Sequence, residues 1–249
     1  MSYLTYNGKL IRSNGKYVSK MPEPIDNSFI LFHVSLTGQQ EISLRGNGEV
    51  SVDWGAGDVS TLSLLPDQYT VFNYDFTEER DVSISNPSSI LEFSTFETGT
   101  MQMSSLDIPS SAISLEKIHI RLAPLSSFII KPEWINLDYI ELADMENLSS
   151  ITIPSTLTLL TSINITDCDL STFSIPSELN LIGRLDINGN PITESSDLDN
   201  ILVTVNSFGT SDGYMDLRVL NMVQPTATGY AAKSSLQSRG WTVFTNEID

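Results

Sequence analysis

Few residues in this chain could carry covalent or metal chemistry. Cys168 is the only cysteine, and His33 and His119 are the only histidines, among 249 residues. A single thiol can neither close an internal disulfide nor supply a Cys-based zinc cluster. Two histidines leave acid–base relays and His-rich metal sites poorly supplied. The 31 Asp and Glu residues are plentiful, but spacing singles out no pair, and solvation accounts for them on an acidic surface. Asp53 and Asp58, in Val50-Ser51-Val52-Asp53-Trp54-Gly55-Ala56-Gly57-Asp58, could offer oxygens to a hard cation. Two carboxylates fall short of the six to eight oxygens that calcium takes, so the segment reads as a tight turn behind a core tryptophan. No phosphate-cradling Gly-rich loop and no nucleophile elbow is present. The expectation is a non-enzymatic protein with no catalytic residues, no metal and no cofactor.

Charge narrows the partners further. Thirteen Lys and Arg stand against 31 Asp and Glu, a net charge of −18. Such a surface repels phosphate backbones, which excludes a sequence-independent grip on nucleic acid. No apolar run approaches the roughly 20 residues that span a bilayer, and the segment after Met1 lacks a signal-peptide core. Residues 1–20 hold Lys9, Arg12, Lys16 and Lys20 and no acidic residue. This +4 arm on a −22 remainder suits docking onto an acidic partner or a neighbouring copy.

The elements that must position any binding residues are mostly strands. In the arm, Asn7-Gly8 and Asn14-Gly15 lie among apolar residues, the signature of small hairpins. Met21-Pro22-Glu23-Pro24 is a stiff linker. From about Ser28 to Pro87, short alternating runs separated by Gly, Pro and Asn turns predict strands at Phe29–Val34, Glu41–Arg45, Glu49–Trp54, Gln68–Phe76 and Asp81–Ser85. They predict a small sandwich.

Beyond Ile90 the apolar residues recur with a period of 22 to 23. Ile118, Ile140, Ile163 and Leu185 form one series. Met103, Leu125, Leu148, Leu170 and Ile192 form a second, and Leu106, Phe128, Ile151 and Phe173 a third. Pro132, Pro154 and Pro176 echo the period, and Ser104-Ser105-Leu106-Asp107-Ile108-Pro109-Ser110 returns as Ser149-Ser150-Ile151-Thr152-Ile153-Pro154-Ser155. A single unit of this length cannot hide its apolar residues, whereas stacked units bury a continuous core.

The register of Leu160 to Leu170 and of Ile182 to Ile192 resembles the leucine-rich repeat, with Cys168 and Asn190 at the ladder position. Leu115 to Leu125 fits with Ala123 there, and the Leu137 to Leu148 unit has one extra residue, which predicts a bulged turn. The resemblance implies a buried structural thiol at Cys168 and backbone bonding by Asn190. The Val50–Asp58 segment is similar to the strand and turn of polycystic-kidney-disease-type sandwiches, with Ala56 where those carry Asp. The closing words Pro225-Thr226-Ala227-Thr228-Gly229 and Arg239-Gly240-Trp241-Thr242-Val243 resemble C-terminal caps of repeat proteins from Bacteroidetes and their bacteriophages. Tyr6-Asn7-Gly8-Lys9-Leu10 and Asn14-Gly15-Lys16-Tyr17 resemble N-terminal words of phage virion proteins.

The predicted architecture is mainly β, with α+β character at the C-terminal cap. It comprises a basic arm and linker (1–24), a β-sandwich (25–89), a leucine-rich-repeat solenoid (90–196) and a helix-containing cap (197–249). The cap should hold a helix over Asp197–Asn206, a strand at Gly213–Val219, a helix within Pro225–Gly240 and a closing strand at Trp241–Phe244. On such a solenoid the concave face would present His119, Arg121, Tyr139, Glu141, Ser162, Asn164, Thr166, Arg184, Asp186 and Asn188, extending to Asp216 and Arg218. Mixed charge, hydroxyls and an aromatic ring suit a protein or glycan partner. The resulting expectation is a bacteriophage virion appendage of head or tail. Lys9, Arg12, Lys16 and Lys20 would anchor it to other virion proteins, a homo-oligomer being compatible with this role, while the repeats face a host surface protein or glycan. The alternative is a bacterial cell-surface or secreted adhesion module.

Overall fold

The computed structural model describes residues 29–35, 37–95 and 102–247, together with four two-residue strands in the arm. Those are β1 (Thr5–Tyr6), β2 (Lys9–Leu10), β3 (Arg12–Ser13) and β4 (Lys16–Tyr17), with β1 paired antiparallel to β2 and β3 to β4. The side chains of Lys9, Arg12 and Lys16, all of Lys20, and the 21–24 linker lie outside the described residues.

The described fold is mainly β. Six strands follow the arm: β5 (Phe29–Val34), β6 (Gly38–Gly46), β7 (Gly48–Asp53), β8 (Val59–Leu64), β9 (Thr70–Phe76) and β10 (Arg80–Ser85). Their burial alternates because successive side chains point to opposite faces, as in β7, where Val50 and Val52 are buried between part-exposed neighbours. Trp54 is the anchor: its ring is buried, stacks on Tyr74 with centroids 5.1 Å apart, and donates Nε1–H to Ser60 Oγ. The turn after it runs through three left-handed residues, Gly55, Ala56 and Gly57. Two glycines carry that conformation at no Cβ cost. Asp53 spends a carboxylate oxygen on the Gly55 N–H, while Asp58 bonds Tyr74 and faces Arg80, so the two acids do not converge.

The next strands are β11 (Ile90–Ser94), β12 (Met103–Asp107), β13 (Lys117–Arg121), β14 (Tyr139–Ala143), β15 (Ser162–Thr166) and β16 (Arg184–Asp186). The chain closes with α1 (Ser195–Ser207), β17 (Tyr214–Leu217), α2 (Ala227–Ser238) and β18 (Thr242–Thr245). Two large sheets result. A five-stranded sheet has the order β12-β5-β10-β7-β8, and a nine-stranded sheet the order β18-β17-β16-β15-β14-β13-β11-β6-β9.

The nine-stranded sheet positions everything that follows. From β11 to β18 its strands are parallel and in register, and at β11 it turns antiparallel, pairing with β6. Phe93, Ile118, Ile140, Ile163, Leu185, Met215 and Val243 occupy one row of that ladder, all buried. Leu125, Leu148, Leu170 and Ile192 are buried in the turns between these strands. One contiguous apolar core runs from Ile30 to Val243.

One expectation changes here. Met103 and Leu106 do not start the second and third repeat series. They lie on β12, which pairs antiparallel with β5, because β11 already fills the position beside β13 and β5 offers a free edge. The large sheet draws strands from either side of residues 89/90 and 196/197. β11 belongs to both halves of it, and β17 and β18 add two strands after residue 197.

At the C-terminal end, α1 buries Leu198, Ile201, Leu202 and Val205, the helical spacing seen in the sequence. Asp199 on α1 accepts the N–H of Thr226, the N-cap of α2. Buried Lys233 on α2 donates to Thr245 on β18 at 2.8 Å, joining helix to edge strand.

Candidate partner-binding face

By pleating, inward and outward rows alternate along the ladder. One outward row runs Glu92, Lys117, Tyr139, Ser162, Arg184, Tyr214, Thr242. The next runs Ser94, His119, Glu141, Asn164, Asp186, Asp216, Phe244. Arg121, Ala143 and Thr166 form a third position at the strand ends. The structure therefore brings the expected face residues onto one side of one sheet.

Exposure departs from expectation. Glu141, Asp186 and Ser162 are buried, and Asp216 is wholly so. Longer neighbours cover them. Arg121 donates Nε–H to Glu141 at 2.8 Å, and Arg218 grips Asp216 through Nε and a terminal nitrogen. Arg184 pairs with Asp186 at 3.5 Å and lies over the Tyr214 ring, 4.4 Å from its centroid. Arg218 lies 5.0 Å from the centroid of Phe244. Asn188 bonds Asp186 from its side-chain amide at 2.6 Å. The face has two layers, carboxylates beneath and arginines with aromatic rings above.

The densest part lies where parallel meets antiparallel pairing. His119 sits between two carboxylates, Nε2 2.9 Å from Glu92 and Nδ1 3.0 Å from Glu141. Its ring stacks on Tyr139, whose hydroxyl donates to Glu141 at 3.1 Å. Glu92 also receives Tyr69 and, at 2.9 Å, Arg45 Nε, while Arg45 reaches Glu116 at 3.0 Å. Burial alone would raise the Glu92 pKa, but His119, Tyr69 and Arg45 outweigh it and bring it down to about 2. Hydrogen bonding from His119, against burial and with help from Arg121, holds Glu141 at about 2. Burial works against the His119 charge, yet the two carboxylates raise its pKa above the ordinary value. Burial, together with the Glu141 charge, pushes Tyr139 up to about 12. Both nitrogens of His119 are thus engaged with carboxylates, which makes the cluster a charge clamp.

The second histidine, the cysteine and the turn asparagine lie outside this face. His33 lies on the five-stranded sheet, 2.8 Å from Asp81. Cys168 is buried in a turn, and burial pushes its thiol up to about 11. Asn190 is fully buried and bonds the Ile165 and Ile187 carbonyls and the Leu170 N–H. Among the described residues no group of three or more His, Cys, Asp and Glu is arranged to hold a metal ion. Arg45 and Tyr69 precede the repeat region, and Glu92 lies at its start, ahead of the first member of any of the three apolar series. Tyr214 and Phe244 were missed, although period-two alternation along the closing strands sets Tyr214 on the same side as Asp216 and Phe244 opposite Asp216 in the ladder.

Neither a scan of protein-family models nor a search of curated proteins gives a match. Among solved structures the chain is similar to an internalin from Listeria monocytogenes, at 13% sequence identity and a TM-score of 0.40. The likeness covers 59% of this chain and 39% of that one.

Proposed function

We propose that this chain is a non-enzymatic binding protein whose stacked repeats form a leucine-rich-repeat solenoid and whose outward sheet face docks a protein or glycan. One observation carries this reading. Four buried or near-buried acids, Glu92, Glu141, Asp186 and Asp216, sit on the outward side of a sheet with basic or aromatic groups laid over them. Burying carboxylates costs stability unless their partners are well placed, and a merely solvated face has no need of that layer. What the layer supplies is preorganisation: each guanidinium is held before a partner arrives, which lowers the entropic cost of binding. Arg, Tyr and Phe are also the side chains that most often dominate interface energetics. The saturated His119, the buried thiol and the separated turn acids offer no nucleophile or acid–base pair, in keeping with a binding role.

Two settings fit such a module. The N-terminal words resemble those of phage virion proteins and the closing cap resembles caps of repeat proteins from Bacteroidetes and their bacteriophages, which suggests an appendage of a bacteriophage particle anchored through Lys9, Arg12, Lys16 and Lys20. The alternative is a bacterial cell-surface or secreted adhesion module. Antibody labelling of purified particles and of cell envelopes in the electron microscope separates the two. Particle labelling that is lost on deleting residues 1–20 supports the virion setting, and envelope labelling supports adhesion. The docking role is tested by flow cytometry of fluorescent protein on candidate host cells. Arg121→Glu with Arg184→Glu should abolish staining; unchanged staining would remove the face as the binding surface.

A further inference from the structure

The outward face has a low point at β15. There the large side chains of adjacent strands give way to small ones. Ser162 lies between Tyr139 and Arg184, Asn164 between Glu141 and Asp186, and Thr166 beside Ala143. Two polar atoms in this saddle have no hydrogen-bond partner, the Oγ of Ser162 and the Oδ1 of Asn164. Ser162 is only 8% exposed. Buried polar groups are nearly always paired, so two orphans side by side on one strand mark a place where a bond partner is missing. The amide nitrogen of Asn164 reaches Glu141 at 3.5 Å, leaving the oxygen as an acceptor that needs an external N–H or O–H.

Arginines stand on either side. Arg121 on β13 and Arg184 on β16 each leave 46% of their side chain exposed. They are three strands apart, about 14 Å along the stack. Arg184 is the looser of the two, since its one ion pair, to Asp186, is 3.5 Å long. The chain as a whole carries −18, so an anionic ligand depends on local cations such as these two half-exposed guanidiniums, each of which already pairs with one carboxylate.

The saddle and its rim hold almost no free apolar surface. Tyr139 is stacked on His119 and Tyr214 is covered by Arg184. A protein partner needs a desolvated apolar centre, whereas a polyhydroxylated ligand needs donors and acceptors. We infer that the β15 saddle binds a carboxylated glycan. A sugar hydroxyl would donate to Asn164 Oδ1, another would pair with Ser162 Oγ, and carboxylates would meet Arg184 and Arg121. This assignment rests on the docking role proposed above and names its ligand class.

The test is calorimetric titration of the full chain with oligogalacturonate, oligomannuronate and oligosialate, each beside its carboxyl-reduced counterpart. At least one acid oligomer should bind and its reduced form bind at least tenfold more weakly. Arg184→Ala should lower affinity about tenfold and Ser162→Ala several-fold. Ser162→Ala should leave the melting temperature of the free chain unchanged or raised, since it removes an unpartnered buried hydroxyl. A lowered melting temperature would mean the hydroxyl serves the fold, and would overturn the inference. So would equal binding of acid and reduced oligomers, or binding that both variants leave intact. If no oligomer binds while Arg121→Glu with Arg184→Glu still abolishes cell staining, the glycan inference fails and the docking face stands with an acidic protein as its partner. If both experiments fail, the docking role itself falls.

Discussion

The Nε2 atom of His119 lies 2.9 Å from Oε1 of Glu92, and this contact joins the first purely parallel strand to the strand where pairing turns antiparallel. On its other side the ring meets Glu141 at 3.0 Å. The clamp gives stability a defined dependence on pH. His119 has a folded pKa raised above 6.5, so its contribution is complete below 6.5 and is lost as pH rises through the folded value. Glu92 and Glu141 are lowered from 4.5 to about 2, so theirs is complete above 4.5 and is lost as pH falls towards 2. The combined contribution peaks between about pH 4.5 and 6.5. Urea midpoints across pH 3 to 9 should show that maximum, and His119→Gln should flatten the alkaline side. An identical alkaline slope in the variant would refute the clamp.

Removing the imidazole should cost more than its own bonds. In His119→Ala two buried carboxylates, Glu92 and Glu141, lose the cation between them. Breaking a buried pair by deleting one partner typically costs about 3 to 5 kcal/mol. Glu92→Gln in the His119→Ala background should then cost less than it does alone, because the two residues share one network. Additive losses in a double-mutant cycle would show that they act independently.

Asn190 tests the turn chemistry. Its amide group bonds the Ile165 and Ile187 carbonyls and receives the Leu170 N–H, at a fully buried position. Asn190→Ala orphans those backbone groups, at about 1 to 3 kcal/mol for each one left unsatisfied. Asn190→Asp should not rescue it, since the carboxylate lacks the two N–H donors. Chemical denaturation decides the matter; rescue by Asp would show that only the acceptor counts.

Truncating the shared row should be costly wherever it is done. Ile163→Ala empties a fully buried position flanked by Ile140 and Leu185. Large-to-small changes at such positions cost about 2 to 5 kcal/mol. Thr166→Ala, at the outward end of the same strand, should change stability by less than about 0.5 kcal/mol. Comparable losses at both positions would contradict the inward–outward assignment.

Cys168 should be silent in the folded chain. Burial pushes its thiol up to about 11, and the thiolate is the reactive species. Iodoacetamide at pH 8 should leave it unmodified by mass spectrometry until denaturant is added. Rapid labelling of the native protein would mean that the turn opens.

What the sequence determined by itself is the part governed by local pattern and period. The 22- to 23-residue recurrence of Ile118, Ile140, Ile163 and Leu185 is enough to set one ladder row, because each unit must bury its apolar residues against the next. Helical spacing in α1, the Asn190 corner and the left-handed turn behind Trp54 are likewise local. The tertiary structure decided what depends on edges and on charges meeting across strands. Met103 and Leu106 obey the period yet pair with β5, since a free sheet edge competes for the same segment. Arg45 lies before the repeat region, and only the antiparallel pairing of β6 with β11 brings it to Glu92, the carboxylate that meets His119. Outward residues are also buried there, because arginine and tyrosine side chains are long enough to fold over carboxylates on neighbouring strands, a reach that no linear spacing records.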